Sequence, residues 1–223
     1  MSSSSAYIAA HNFGENGGET IIAGVHVDPG LYKNYDLRFF TYWNSGMKGC
    51  FNVNCPGFVV ADGANLYPGQ ALTPLSTYGG PERYITIRIK KDEDRGDWSL
   101  YREDEGGPIG GMTLLGWWPK TLFTSLSSHA TIVEWTGTVV HPETEISPSM
   151  GSGHFSSELN SKAASFKQIF AFNIHGGVFF EPNEVTPFMD RDDCYTVSSL
   201  YYSQHSDGSH FFYGGPGGCS DKN

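Results

Sequence analysis

Between Ala130 and His141 the chain reads Ala-Thr-Ile-Val-Glu-Trp-Thr-Gly-Thr-Val-Val-His, and this run constrains the fold more than any other. Thr, Ile, Val and Trp suit a pleated, half-buried surface, so the segment predicts one long strand. In its middle stands Glu134, a carboxylate among apolar neighbours. A charge buried without partners is costly, so an acid in that position is expected to have a partner or a task. The first thing to ask of the remaining sequence is whether a second acid stands opposite it.

Other strand signals surround this one. Within Arg83–Lys90, Ile85, Ile87 and Ile89 alternate with Thr86, Arg88 and Lys90, which gives one buried and one wetted face. Short runs at Thr20–Asp28, Leu37–Trp43, Gly57–Ala61, Leu72–Tyr78, Trp98–Arg102 and Gly110–Pro119 are parted by turn residues. Further runs follow at Ala163–Ile174, Cys194–Tyr202 and His210–Tyr213, and Thr121–Ser127 predicts a brief helix. With 28 Gly and 12 Pro in 223 residues, and only 17% charged, the pattern predicts an all-β domain, a sandwich or barrel. Residues 1–17, rich in Ser, Gly and Asn, are expected to fray, leaving a single domain over 18–223. If the Thr20–Asp28 and Leu37–Trp43 strands form a hairpin, Ile22 is expected near Trp43 and His26 near Phe39.

Charge and composition also exclude partners. A net charge of −10 argues against a nucleic-acid surface, and no apolar run approaches a membrane span. The opening Met-Ser-Ser-Ser-Ser-Ala lacks the charged and apolar regions of a signal peptide. The chain is therefore expected to be intracellular as written, or extracellular if it is a trimmed mature domain. Four cysteines, Cys50, Cys55, Cys194 and Cys219, are even in number. The Cys50–Cys55 spacing suits a staple across a loop, with metal binding as the alternative.

Several blocks then resemble the neprosin family. They are Leu37-Arg38-Phe39-Phe40-Thr41-Tyr42-Trp43, Gly49-Cys50-Phe51-Asn52-Val53-Asn54-Cys55-Pro56-Gly57-Phe58, Gly116-Trp117-Trp118-Pro119 and Ile132-Val133-Glu134-Trp135. Met150-Gly151-Ser152-Gly153-His154-Phe155, Cys194-Tyr195 and Phe212-Tyr213-Gly214-Gly215-Pro216-Gly217 complete the series. The resemblance implies a sandwich of two antiparallel β-sheets with a cleft over one face, and disulfides Cys50–Cys55 and Cys194–Cys219. It also implies, for active members, a glutamic peptidase that cleaves near proline in acid with two glutamates across the cleft. Two close carboxylates share protons, so one can serve as base to a water and the other as acid to the leaving amine.

This chain departs from that pattern. The family's first glutamate precedes an Ala-Gly pair; here Ile22 precedes Ala23-Gly24. The second glutamate aligns with Glu134, and where many relatives carry another, four residues on, stands Thr138. Glu19 lies at an odd offset from Ile22 and should face the other way. His26 and Asp28 share the face of Ile22 but lie roughly 13 and 20 Å along the strand. The paired-acid mechanism is therefore expected to fail.

The expectation becomes a binding protein in which the former peptidase cleft takes a small, flat, conjugated ligand, in the manner of a pigment-carrying chromoprotein. Ile22, His26, Trp43, Glu134, Thr138 and His154 are its expected lining, and a replaced charge makes that cleft drier. His26 and Asp28, two apart on a strand, could share a divalent metal; the plainer reading is a hydrogen-bonded His beside a turn-forming Asp. His205 and His210 flank a turn signal and are expected at a solvated tip. The alternatives are an acid-range peptidase resting on Glu134, and a structural or defence protein without pocket chemistry.

Overall fold

A computed structural model describes residues 2–14, 17–103, 111–172, 179–180, 185–203 and 207–219. Its first four strands are β1 (Ser3–Gly14), β2 (Gly17–Val27), β3 (Arg38–Ser45) and β4 (Lys48–Phe51), with the short helix α1 (Pro29–Tyr32) between β2 and β3. The chain next builds β5 (Val59–Val60), β6 (Ile87–Lys91), β7 (Trp98–Glu103) and β8 (Met112–Trp118), and returns as β9 (Ile132–Val140). Then come β10 (Ala164–Phe166), β11 (Ala171–Phe172), β12 (Phe179–Phe180), β13 (Thr196–Val197), β14 (Tyr201–Tyr202) and β15 (Ser209–Gly214). The first sheet has the order β4-β3-β2-β1-β9, the second β5-β8-β7-β6, and the third β10-β15-β13 with β14 also on β15. β11 pairs with β12. Every strand pair is antiparallel, so the fold is the expected all-β sandwich. Among the described residues, no helix is long and apolar enough to cross a membrane.

The largest departure is at the start. The stretch expected to fray is β1, which pairs with β2 on one edge and β9 on the other. It mixes Ser, His and Asn with Ala, Tyr, Ile and Phe and shows no strict alternation, so composition hid it. What orders it is the backbone, whose N–H and C=O groups are paired on both sides. The β2–β3 register also differs from expectation by one residue. Trp43 pairs with Ile21 and Phe39 with Val25, while Ile22 faces Tyr42 and His26 faces Arg38. One step moves every side chain to the other face, so Trp43 lies on the face away from Ile22.

Other boundaries moved for identifiable reasons. Leu72–Tyr78 is not a strand, and its Pro74 has no N–H to give a ladder. Thr121–Ser127 holds only the 3-10 turn Lys120–Leu122. Of Arg83–Lys90 only the end is paired, in β6, yet Ile85, Ile87 and Ile89 all pack on the core as the alternation requires. Both implied disulfides are present, Cys50–Cys55 and Cys194–Cys219. His210 is no solvated tip: it is buried in β15, with Nδ1 2.9 Å from the Gly208 carbonyl. His205, Gly110 and the 173–174 part of the Ala163–Ile174 run lie outside the described residues.

Two apolar cores result. The larger joins Ile21, Ala23, Phe39 and Trp43 of the first sheet to Trp98, Leu100, Leu115 and Trp118 of the second. A smaller one sets Ala6 and Val139 against Met150, Tyr195 and Tyr213 under the third sheet. Glu19 locks the end of the larger core and is 4% exposed. Its Oε1 accepts from Ser45 Oγ (2.6 Å) and the Thr124 N–H (2.7 Å), and its Oε2 from the Leu126 N–H (2.7 Å). The held loop in turn accepts the Trp98 indole N–H at the Leu126 carbonyl, 2.8 Å away.

Burial pushes the Glu19 pKa up, but the hydrogen bonds from Ser45, Thr124 and Leu126 outweigh it, and the net shift is downward. A carboxyl with a depressed folded pKa contributes stability that is whole above its unfolded pKa and is lost as pH falls through the folded value. Glu19→Gln turns an acceptor of backbone N–H groups into a partial donor, and is expected to cost about 1–3 kcal/mol at neutral pH. In denaturant melts the gap between wild type and Glu19→Gln should shrink on acidification; a constant gap would contradict this account.

Candidate functional site

Antiparallel register aligns side chains into rows across the first sheet, and four rows make up the face that carries Ile22. One runs Glu134–Ala9–Ile22–Tyr42 and the next Thr136–Tyr7–Gly24–Phe40. On either side lie Thr138–Ser5–His26–Arg38 and Ile132–His11–Thr20–Asn44. Glu134 and Ile22 thus lie in one row with a single strand between them, about 10 Å apart at the backbone. Two glutamates so placed could reach toward a common water. In these four rows Glu134 is the one carboxylate.

Gly24 explains the Ala-Gly pair. A Cβ there would lie 2.2 Å from the Ala6 carbonyl oxygen and 2.6 Å from Tyr7 Cα. With no side chain in the way, the Tyr7 and Phe40 rings meet edge-on over the gap, 6.2 Å apart.

Glu134 is not buried as the sequence led us to expect; its side chain is 41% exposed. It occupies an edge strand, and its Oε1 lies 3.3 Å from His11 Nε2. His11 Nδ1 lies 2.9 Å from Thr20 Oγ1, so the imidazole joins the acid to a hydroxyl. Tyr7 stands beside them. Burial raises its pKa first and the Glu134 charge adds to this, while a hydrogen bond with Thr138 works the other way. Tyr7 and His11 therefore flank the acid, with Thr20 beyond the imidazole, yet Tyr7 and His11 sit in the segment expected to fray. The signal that could have found them is the glycine-rich turn at Gly14–Gly17, which marks a hairpin.

Glu19 behaves as its odd offset predicted and faces away from Ile22. His26 is fully buried, stacked on Phe40 with ring centres 4.1 Å apart. Asn52 Nδ2 donates to the Tyr32 hydroxyl (2.7 Å), and that hydroxyl lies 3.1 Å from His26 Nε2. Burial of the ring favours its neutral form, and the Tyr32 hydroxyl links it to Asn52. Asp28 Oδ1 accepts the Leu31 N–H (3.0 Å) and caps α1. Imidazole and carboxylate thus each have their own partner. Among the described residues, the one cluster of three metal-ligating atoms is Asp193 with Cys194 and Cys219, and both its sulfurs are spent in a disulfide.

The last two expected lining residues sit elsewhere. Trp43 is 5% exposed in the larger core, edge-on to Phe123. His154 stacks on Tyr78 (4.1 Å), and its Nδ1 lies 2.9 Å from Glu158 Oε1, while the Tyr78 hydroxyl donates to Glu158 Oε2 at 2.7 Å. The structure brings Ile22, His26, Glu134 and Thr138 to one face, and leaves Trp43 and His154 apart from it.

Among the described residues, a large half-open cavity lies against the other face of the same sheet. It has a volume of about 1710 Å³ and is lined by Ile8, Val25, Val133, Trp135, Ile87 and Phe166 among others. Val133 and Trp135 flank Glu134 in sequence, so alternation alone turns them to this side. A polar cluster lies in its wall. Lys167 Nζ meets Glu82 Oε2 (3.3 Å) and Asp207 Oδ1 (3.4 Å) and donates to the Tyr84 hydroxyl (2.9 Å).

Burial lowers the His26 pKa to about 4; Asp28 offsets part of this and Arg38 lowers it further. The stability that a neutral buried His26 contributes is whole above its ordinary pKa of about 6.5 and drains away as pH falls through about 4. Wild type should therefore lose more thermal stability than His26→Gln over that interval, with Gln supplying an oxygen to accept from Tyr32. Equal losses would show that protonation of His26 is not what acid attacks. The family model described as Neprosin matches residues 1–216 of the chain.

Proposed function

The chain belongs to the Neprosin family, and from that premise we propose that it acts by binding and not by paired-acid hydrolysis. The observation that carries this reading is Ile22, an aliphatic side chain in the row of Glu134, where a second carboxylate would complete the pair. The remaining acid meets the His11 imidazole, whose other nitrogen reaches Thr20. That is a carboxylate–imidazole–hydroxyl chain and not the carboxylate pair of the glutamic peptidase mechanism.

The ligand we assign to the protein is small, flat and largely apolar, of the conjugated kind that gives colour. Its place is the half-open cavity on the other face of the sheet and not the row of Glu134 and Ile22. Apolar walls with a few convergent polar groups are the usual make-up of a small-molecule site. Typical sites span about 300–1,000 Å³; a cavity of about 1710 Å³ leaves room for an elongated ligand or accompanying water. Lys167, with Glu82, Asp207 and Tyr84 around it, supplies one polar end.

Two experiments test the two halves of the proposal. Protein from its natural source should show a visible absorption band that disappears on denaturation. Ile87→Arg, which drives a charge into the cavity, should abolish the band and leave the far-ultraviolet circular dichroism intact; elemental analysis of the same sample decides whether a metal accompanies the ligand. A proline-containing peptide should survive the wild-type protein in acid. Cleavage by wild type that disappears in Glu134→Gln would overturn the binding reading in favour of a peptidase. Ile22→Glu restores the second acid and should bring measurable cleavage, lost again in Ile22→Glu/Glu134→Gln.

A further inference from the structure

β9 is the last strand of the first sheet. Only its β1 side is paired, so every second residue turns its N–H and C=O outward along a nine-residue edge. Among the described residues, no backbone hydrogen bond reaches that outer edge. Ile132, Val133 and Val140 are 47%, 45% and 66% exposed. A long, apolar, open edge is a template for another strand. Native proteins usually blunt such edges with lysine, proline or a covering loop, yet β9 contains no lysine and no proline.

The sequence of β9 itself says which strand fits. Residues directly opposed in an antiparallel pair share a face. A two-fold axis normal to the sheet must therefore set some residue against its own copy. Taking Thr136, the middle residue, as that one gives the only register that overlaps all nine positions. In it Ile132 meets Val140 of the second copy, and Val133 meets Val139. Trp135 meets Gly137, an aromatic beside a glycine on one face, a favourable cross-strand combination. Each Glu134 meets Thr138, a hydroxyl that can donate to it. Moving the axis to Glu134 would instead set two carboxylates against each other, which is destabilising.

We propose that two copies of this chain pair through β9 in an antiparallel, two-fold dimer centred on Thr136, joining their first sheets into one ten-stranded sheet. The interface is isologous, the same patch from each copy. Since Trp135 and Val133 line the cavity, the two cavities lie on the same side of the joined sheet, with the two Trp135 rings near the axis. The dimer does not depend on the ligand reading, because it rests on the open backbone edge of β9 and on the fit of its side chains to a second copy.

Sedimentation equilibrium and oxidative cross-linking test it together. Wild-type protein should sediment at twice the mass of one chain. Ile132→Lys/Val140→Lys sets lysine against lysine at both ends of the pairing, on positions exposed in the single chain, and should sediment as a folded monomer. Thr136→Cys should form a disulfide-linked dimer on mild oxidation. Thr138→Cys should not, because its two copies lie about 13 Å apart in this register. A wild-type monomer, a dimer indifferent to the two lysines, or cross-linking at Thr138 in place of Thr136 would each overturn the proposal.

Discussion

The ladder bonds on the two edges of β1 set the geometry from which the rest follows. By pairing with β2 and β9, this strand fixes how two distant stretches of chain stand to each other. Glu134 is more than a hundred residues from Ile22 in sequence, and Ala9 alone puts them in one row. Slide β1 by one residue against either neighbour and the acid would turn toward the cavity while the aliphatic residue stayed outside. The chemistry of the face is thus decided by backbone register before any side chain is considered.

That explains what could and could not be read from the sequence. Strict alternation at Ile85, Ile87 and Ile89 identified the core side of its segment, because period-two burial leaves a direct mark. The odd offset of Glu19 gave its face correctly for the same reason, since parity within one strand needs no partner. Parity between strands is different. The expected register, with Ile22 beside Trp43, was wrong by one residue, and that step turns Trp43 to the opposite face from Ile22. β1 was missed because its order comes from neighbours, and neighbours leave no trace in a local window. His154 was placed with the others on its motif, yet its partners Tyr78 and Glu158 come from loops whose meeting no spacing predicts.

The buried polar groups add an electrostatic side to the same argument. Glu19 is held ionised by three hydrogen bonds, and His26 is kept neutral by its burial against Phe40 and Tyr32. Acid works against both, protonating the first and charging the second. One fastens the loop over the larger core and the other fastens α1 to the sheet, so their losses fall on different parts of the molecule and should accumulate. A fold stabilised in this way loses support as the pH falls.

The separation of faces bears on how such a protein could change its work. The row of Glu134 and the cavity share a sheet but no side chain direction, so losing an acid on one side leaves the lining of the other untouched. A ligand in the cavity would therefore not touch the Ile22 side chain, which points to the other face. The link that remains is mechanical. Val133 and Trp135 line the cavity from the same strand that carries Glu134, and that strand is also the open edge. Any event that stiffens β9, whether a second copy along its edge or a ligand against Trp135, acts on both faces through one backbone. The strand that opened the sequence reading with a solitary acid is thus better understood as a shared wall, and its acid as the residue on the outer side of that wall.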